Sequence, residues 1–259
     1  MEKITSTSNS KVMLYSKLNQ KKYRDEYNMF LLENYKLIVE ALERNEKIEA
    51  IIIREDYEEK YKDIILKENN KVLIVPNNVF AKISDTVTSQ GIIAVANKKK
   101  LVPLSKIKGK TLVLDRIQDA GNVGTLIRSA LGFGFENVIL LDSADVYSPK
   151  VVRSSGGGVF SLNFIEIQEK ELVFYINNSN FAIFIADMNG ENLYNLKNTP
   201  NNLMLIVGNE GQGVSNNLKA LATHTLSIPM SSNLESLNAG VSGSIIMSYI
   251  SEISKNMLN

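Results

Sequence analysis

The chain has 259 residues, of which 44% are hydrophobic and 22% are charged, a composition typical of a globular protein with an ample core. It contains no cysteine and a single histidine, His224, which excludes disulfides, cysteine nucleophiles and multi-histidine metal sites. No apolar run reaches the roughly 20 residues that a membrane helix needs, and the first residues lack the apolar stretch of a signal peptide. We therefore expect a cytoplasmic protein that binds no metal and no membrane.

The net charge of +1 hides an uneven distribution of charge along the chain. Residues 1–24 carry six basic residues and one acid, and residues 98–110 carry six lysines and no acid. Residues 111–259 carry 8 basic and 13 acidic residues. Such asymmetry indicates one part that faces a polyanion and a separate acidic part.

The first part of the chain alternates helix and strand patterns, which predicts a small α/β domain over residues 1–97. Helices are predicted over 9–24, 35–45 and 57–69, and strands over 29–33, 48–55, 71–76 and 91–97. Residues 98–109 contain Pro103 and Gly109 and show little periodicity, so we interpret them as a linker.

A second alternation follows and predicts an α/β domain over residues 110–259. Near-continuous apolar runs, typical of parallel strands that are covered on both faces, occur at 111–115, 137–142, 181–187 and 203–208. Helices are predicted over 122–133, 149–156, 214–221 and 237–252. Ligands of such sheets bind beyond the carboxyl ends of the strands, so the loops there are the candidate sites.

The first candidate is the turn that follows strand 111–115. Gly121 and Gly124 permit close approach to the backbone, Asn122 is suited to cap the next helix, and Arg128 follows on that helix. The dinucleotide fingerprint G-x-G-x-x-G is absent. On spacing alone, a plain strand–turn–helix corner with a surface arginine is the favoured interpretation.

The second candidate is the glycine-rich loop G-N-E-G-Q-G at 208–213, directly after strand 203–208. Its glycines allow a flat ligand to lie against the backbone, and no Gly-Lys-Ser/Thr follows as in a P-loop. The carboxylate of Glu210 disfavours phosphate but suits a cationic or hydroxyl-bearing ligand. A ligand site and a purely structural glycine turn are equally consistent with these residues.

The third candidate is the segment I-P-M at 228–230 followed by E-S-L-N at 235–238, which leads into a helix of small residues. Either Ser236 or Asn238 is suited to cap that helix, which is the plain structural interpretation. A fourth, weaker candidate is the pair Lys150 and Arg153, which share one helix face and invite a phosphate. A solvated helix face is the commoner explanation of that pair.

Taken together, the first three candidates resemble the motifs of the SpoU (TrmH-like) RNA 2′-O-ribose methyltransferases. These motifs are N-x-G-x-x-x-R at 122–128, G-N-E-G-x-G at 208–213 and I-P-M with E-S-L-N at 228–238, in order and each after a predicted strand. The resemblance covers roughly residues 109–255. T-S-x-x-N near the start and residues 83–95 are similar to the substrate-binding domain that often precedes it. Asn34 departs from the family, which often has glycine there, and this difference affects a local turn only.

The resemblance implies a fold with a deep trefoil knot near residues 203–240 that binds S-adenosylmethionine. It also implies a homodimer, formed through the C-terminal domain, with the active site at the subunit interface. The implied catalytic residues are Arg128, Asn122, Glu210, Ser236 and Asn238. The implied cofactor-binding residues are Gly208, Asn209, Gly213, Ile228, Pro229, Met230, Leu237 and Asn238. RNA contacts are expected from Lys21, Lys22, Arg24, Arg116, Lys150 and Arg153.

The function implied by the resemblance is S-adenosylmethionine-dependent 2′-O-methylation of RNA, with ribosomal RNA of the 23S type favoured by the accessory domain. One alternative is a transfer RNA methyltransferase of the same family, and another is an antibiotic-resistance methyltransferase. A non-catalytic RNA-binding protein, such as a ribosome-assembly factor, is a further alternative. A nucleotide-dependent oxidoreductase or kinase is disfavoured because both phosphate-loop fingerprints are absent.

Overall fold

The computed structural model of the protein describes residues 1–86, 88–231 and 236–256, with side chains as far as residue 254. Glu235 of the third motif and Val87 of the 83–95 segment lie outside the described residues. The strands are β1 (Glu2–Lys3), β2 (Met29–Leu32), β3 (Ile48–Arg54), β4 (Val72–Val75), β5 (Ile92–Asn97), β6 (Lys110–Asp115), β7 (Asn137–Leu141), β8 (Asn163–Glu166), β9 (Ala182–Asn192), β10 (Leu203–Gly208) and β11 (His224–Ser227). The helices are α1 (Ser10–Lys17), α2 (Lys21–Tyr27), α3 (Tyr35–Glu43), α4 (Lys62–Lys67), α5 (Asn77–Ile83), α6 (Ala120–Gly132), α7 (Pro149–Ser154), α8 (Gly158–Ser161), α9 (Glu169–Asn177), α10 (Asn216–Lys219) and α11 (Ala239–Asn256).

The chain forms two compact units. The first comprises Met1–Lys99 together with Tyr147–Phe160, and the second comprises Lys100–Val146 together with Ser161–Asn259. The break after Lys99 falls within the predicted linker 98–109, whereas residues 147–160, which lie inside the predicted second domain, belong to the first unit. The ring of Tyr147 packs on that of Phe30, with 4.8 Å between the centroids.

The first unit contains a five-stranded mixed sheet in the order β1-β4-β3-β5-β2. Strands β1, β4 and β3 are parallel, whereas β5 is antiparallel to both β3 and β2. Isoleucine and valine side chains of β3, β4 and β5 are buried and pack against apolar residues of α1 and α5. The four strands predicted for the first part of the chain are present as β2 to β5, whereas β1 and α5 are additional elements.

The predicted helix over 9–24 is in fact two helices, α1 and α2, separated by a turn. Val12, Tyr15 and Leu18 keep helical spacing and are buried, so the hydrophobic pattern gives no sign of the break. Arg24 donates from Nη1 to the carbonyl of Leu18 at 2.7 Å. This bond satisfies a carbonyl at the end of α1 that no longer has a helical partner.

The second unit contains a six-stranded sheet in the order β11-β9-β10-β6-β7-β8, and every pairing in it is parallel. The apolar runs predicted as parallel strands become β6, β7, β9 and β10, so the predicted fold class is confirmed. Strand β8 and helix α9 are additions, and predicted helix 214–221 shortens to α10. The trefoil knot stays a prediction.

The strand order reverses between β6 and β10. From β6 the chain proceeds to β7 and β8 on one side, whereas β10, β9 and β11 lie on the other. Gly208, the last residue of β10, pairs with Asp115, the last residue of β6. The turn after β6 and the glycine loop (residues 208–213) after β10 therefore start side by side at a switch point, where open α/β sheets bind ligands.

Strand β9 is irregular beside β11. Thr225 pairs with Ile185 but the next residue, Leu226, pairs with Glu191, so residues 186–190 have no partner on β11. Three of these residues, Ala186, Asp187 and Met188, line a cavity described below. Within the ranges that the structure describes, no helix is long and apolar enough to cross a membrane.

Candidate functional site

A cavity of about 490 Å³ lies at the carboxyl ends of β9, β10 and β11. Sites for small molecules and cofactors have volumes of about 300–1,000 Å³. Its lining includes six predicted cofactor residues, Gly208, Asn209, Gly213, Ile228, Met230 and Leu237, and two predicted catalytic residues, Glu210 and Ser236. Pro229 and Asn238 adjoin the lining in sequence without belonging to it.

The glycine loop is held in a closed turn by its own asparagine. Asn209 Oδ1 accepts hydrogen bonds from the backbone N–H of Gly211 at 3.0 Å and of Gln212 at 3.1 Å. The N–H of Gly213 donates to the Asn209 carbonyl at 2.8 Å. Gly213 has a φ of 68°, and a Cβ on Gly208 would overlap the backbone of Gly213 and Val214. Glycine is therefore required at both ends of the loop, which turns backbone groups toward the cavity.

A hydrogen bond joins the first motif to the second. Asn122 is 8% exposed, and its Nδ2 donates to Glu210 Oε1 at 2.8 Å. The predicted capping role of Asn122 is wrong, because Asp119 caps α6 by accepting from the N–H of Asn122 at 2.9 Å. Because the side chain of Asn122 does not cap α6, it can orient the carboxylate of Glu210 in the glycine loop.

The third motif meets the first at the start of α11. Asn238 Oδ1 accepts from the N–H of Val241 at 3.2 Å, which makes Asn238 the cap of this helix. A Cβ on Gly240 would lie 3.1 Å from Asn238 Oδ1 and 3.2 Å from Asn122 Oδ1. The side chains of both asparagines thus share the space above Gly240, and the three motifs converge on one place.

Small residues on α11 allow it to pack closely on α6. A Cβ on Gly243 would overlap the side chain of Leu126. Ser129 and Ser244 are hydrogen-bonded through their hydroxyls at 2.7 Å. This close packing holds the beginning of α11 beside the turn after β6.

Arg128 lies on α6 but does not line the cavity. It is exposed, whereas Asn122, six residues earlier on the same helix, is buried. At about 100° and 1.5 Å per residue, the two side chains lie roughly 9 Å apart along the helix and on different faces. With the residues that the structure describes, Arg128 forms no hydrogen bond or ion pair.

Two charged residues of the cavity were not predicted. Asp187 and Lys219 both line it and form an ion pair at 2.7 Å, and a hydrogen bond from Lys219 holds the pKa of the Asp187 carboxyl below its usual range. Asp187 ends the apolar run predicted as strand 181–187, as Asp115 ends the run 111–115, so its position at the end of that run was a usable signal, although β9 continues to Asn192. Across residues 1–86, 88–231 and 236–256, no group of three or more histidine or acidic side chains is placed to hold a metal ion.

The predicted RNA contacts of α2 divide into exposed and buried residues. Lys21 and Lys22 are exposed. Arg24 is only 3% exposed and its guanidinium is engaged by the carbonyl of Leu18. Arg24 therefore supports the turn between α1 and α2 and does not present a free charge to a phosphate.

The other predicted RNA contacts also have partners inside the protein. Lys150 is exposed on α7, and Arg153 on the same helix pairs with Asp85 at 3.3 Å. Arg116 turns toward Asp115, with Nε donating to Oδ1 at 2.9 Å. The structure thus places none of these residues in the cavity itself.

Comparison with known proteins gives the same family as the motifs. Residues 109–248 match the SpoU rRNA Methylase family, and residues 9–94 match an MRM3-like substrate binding domain. A 23S rRNA (guanosine(2553)-2′-O)-methyltransferase of Bacillus subtilis (strain 168) is 29% identical over 253 residues, which are 96% of this chain and 99% of that protein.

Two solved structures share both the fold and part of the sequence. The AdoMet-bound rRNA methyltransferase from Sinorhizobium meliloti has a TM-score of 0.85 at 25% identity, over 96% of this chain and 97% of that chain. An RNA 2′-O ribose methyltransferase has a TM-score of 0.80 at 29% identity, over 96% and 97%. With its motifs joined around one cavity and more than half of its length matched by the family, the chain belongs to the SpoU rRNA methylase family.

Proposed function

We propose that the protein transfers a methyl group from S-adenosylmethionine to a ribose 2′-hydroxyl of ribosomal RNA, of the 23S type. The observation that carries the proposal is the convergence of the three motifs on one cavity, through the Asn122–Glu210 hydrogen bond and the space above Gly240. Ribosomal RNA is favoured because the Bacillus subtilis relative is named for that substrate and the first unit matches a substrate-binding domain. The cytoplasmic location also stays a prediction.

The cavity suits S-adenosylmethionine in size and chemistry. Val207, Leu226 and Ile246 give it an apolar wall, and the glycine loop offers backbone groups that can approach a flat base. The carboxylate of Glu210 favours a ligand that carries positive charge, whereas the charge of Asp187 is already paired with Lys219. When bound, S-adenosylmethionine supplies a methyl group already activated by its positively charged sulfur.

The chain's own residues then have to align and stabilise a poor nucleophile. A ribose hydroxyl must lose its proton near the moment of methyl transfer, and alignment of the reacting atoms supplies much of the rate. An arginine is always charged in ordinary surroundings, so Arg128 is better suited to clamp the neighbouring phosphate than to act as a base. Glu210, oriented by Asn122, and Asn238 would position the ribose at the cavity.

A homodimer would bring Arg128 to the reaction. Arg128 is exposed, lies on a different face of α6 from Asn122 and does not line the cavity of its own subunit. We infer that Arg128 of the partner subunit completes each site. The predicted dimer through the C-terminal domain meets this need, since it would place an exposed face of α6 beside the cavity of the other copy.

The first unit offers a surface that combines lysines with stacked aromatic rings. Lys17 Nζ and Lys22 Nζ lie 5.1 and 5.7 Å from the centre of the Tyr23 ring. The rings of Tyr23 and Tyr27 are stacked at 6.4 Å. Positive charge that follows the backbone and rings on which bases stack are the two features by which proteins hold single-stranded RNA. We infer that this basic aromatic surface binds the RNA substrate.

Replacing Lys17 and Lys22, the two lysines of this surface, together by glutamine is expected to weaken RNA binding and to make it less dependent on salt. Each phosphate contact on a single strand contributes a slope of about −0.7 in a plot of log affinity against log salt, so the slope should become shallower by about 1.4. The measurement is RNA affinity over a series of salt concentrations.

Lys60→Gln is the matched control, because Lys60 also lies over a tyrosine ring, 5.2 Å from the centre of Tyr57, but beside Glu58 and Glu59. We expect the salt dependence of this variant to match that of the unmodified protein. If Lys60→Gln and the double variant lost the same amount of RNA affinity, the position of the lysines would not matter and the proposed surface would be wrong.

The proposed activity is tested by mapping 2′-O-methylation across total RNA with and without the protein, together with calorimetry of S-adenosylmethionine binding. We expect one methylated nucleotide in 23S-type ribosomal RNA to depend on the protein. A change confined to transfer RNA would reject the ribosomal substrate. Absence of S-adenosylmethionine binding would instead favour the non-catalytic RNA-binding protein.

A further inference from the structure

Arg116 has an unusual backbone conformation at the edge of the cavity. It directly follows β6 and has a φ of 59°, a left-handed conformation that few residues other than glycine adopt. Because such a conformation is unfavourable for a side chain, it persists only where surrounding contacts hold it. The contacts of Arg116 therefore show what its position serves.

The guanidinium of Arg116 forms a two-pronged pair with Asp115. Nε donates to Oδ1 at 2.9 Å and Nη2 donates to Oδ2 at 3.1 Å. Asp115 is completely buried, and a buried carboxylate requires a partner of opposite charge. The hydrogen bond to Asp115 also raises the pKa of the Arg116 guanidinium above its usual range.

Asp115 and Arg116 also form hydrogen bonds with the glycine loop and with Ser215, which lies two residues beyond it. Arg116 Nη1 donates to Gln212 Oε1 at 3.0 Å and Nη2 to the Gly213 carbonyl at 3.2 Å. The Arg116 carbonyl accepts from Asn209 Nδ2 at 2.9 Å, and Asp115 Oδ2 accepts from the N–H of Ser215 at 2.7 Å. Hydrogen bonds thus attach the glycine loop to the end of β6 at three places: near the start of the loop, at the end of the loop and just beyond it.

We propose that Arg116 is a positioning residue that holds the glycine loop in the shape that receives S-adenosylmethionine. The proposal rests on the proposed function. It replaces the role in RNA binding that the sequence suggested, because all three guanidinium nitrogens already donate to Asp115 or to the loop. A side chain so engaged organises the cofactor site before the cofactor arrives, and thereby lowers the cost of ordering the loop on binding.

Two variants test this role. Arg116→Gly removes the guanidinium and suits a φ of 59°, whereas Arg116→Lys keeps the charge but loses the planar fork. For both we expect the Kd and the KM for S-adenosylmethionine to rise by roughly 10- to 100-fold, since the loop would have to be ordered on binding and each factor of ten in affinity corresponds to about 1.4 kcal/mol of that cost. We expect kcat at saturating S-adenosylmethionine, RNA affinity and the salt dependence of RNA binding to stay unchanged.

Arg54→Lys is the matched control. Arg54 makes the same kind of fork in the first unit, with Nε to Asp56 Oδ1 at 2.6 Å, Nη2 to Asp56 Oδ2 at 2.9 Å and Nη1 to Asn77 Oδ1 at 3.2 Å. Loss of such a fork away from the cavity should leave the Kd for S-adenosylmethionine unchanged. A rise of equal size in the control would attribute the effect to general destabilisation.

Three results would overturn the proposal. The first is unchanged affinity for S-adenosylmethionine in both Arg116 variants, and the second is a loss confined to RNA affinity with a shallower salt dependence. The third is failure of both variants to fold in thermal melting, because Arg116 would then serve stability and not the loop. Calorimetry of the unmodified protein tests the proposed function separately, since S-adenosylmethionine must bind there whatever Arg116 does.

Discussion

Arg128→Ala is expected to lower the rate of methyl transfer by roughly 100- to 1,000-fold, the usual cost of removing a group that stabilises charge in a transition state. The affinity for S-adenosylmethionine should stay unchanged, because Arg128 does not line the cavity. Single-turnover kinetics and calorimetry measure the two quantities separately. Arg44→Ala is the control, since Arg44 is a surface arginine whose guanidinium pairs with Glu40, and it should methylate at the normal rate.

Mixed dimers show which subunit supplies Arg128. One subunit carries Arg128→Ala and the other carries Gly208→Ala, and the two are co-purified with different tags. If Arg128 acts on the cavity of its partner, one intact site forms and the mixed dimer retains about half of the normal activity. If Arg128 acts within its own subunit, both sites are defective and the mixed dimer is inactive, which would contradict the proposed arrangement.

Gly208→Ala is expected to weaken S-adenosylmethionine binding by roughly 100-fold or more, as the cofactor loop loses its geometry. The added Cβ would overlap the backbone of Gly213 and Val214, and backbone atoms cannot move aside as the end of a flexible side chain can. The junction between β10 and the glycine loop must therefore open. Calorimetry measures the loss, and thermal melting shows whether the unit remains folded.

Gly211→Ala provides the comparison within the same loop. A Cβ there would meet only Asn209 Oδ1 at 3.7 Å, which is an ordinary contact, so the loop should keep its shape. We expect this variant to bind S-adenosylmethionine far better than Gly208→Ala does. The reverse order of affinities would show that close backbone packing at Gly208 does not shape the site.

The parallel strands could be predicted from sequence because they are buried along almost their whole length and therefore consist of nearly uninterrupted apolar residues. The apolar runs at 111–115, 137–142 and 203–208 coincide with β6, β7 and β10 to within a residue at each end. Strand β8 was not predicted, since it has only four residues and its two ends, Asn163 and Glu166, are exposed and polar. Short edge strands of this kind lack the apolar run on which the prediction depends.

The sequence identified residues of the site but not the contacts between them. The motifs identify Asn122, Glu210 and Asn238 from their types and order alone. The hydrogen bond from the amide of Asn122 to Glu210 joins residues that are 88 positions apart in sequence, and no local pattern encodes such a contact. The ion pair of Asp187 and Lys219 likewise joins residues that are distant in sequence, and Asp187 lies in the stretch of β9 that has no partner on β11.

The uneven charge along the chain and the three ordered motifs determined from sequence alone that this is an acidic α/β catalytic domain with a basic accessory part. Only the tertiary structure decided what individual basic residues do. Arg24 is buried against the carbonyl of Leu18 and Arg116 is held by Asp115, whereas Lys22 and Arg128 remain exposed. The physical reason is that the sequence records a charge but not its partner, and a charge paired inside the protein is no longer available to RNA.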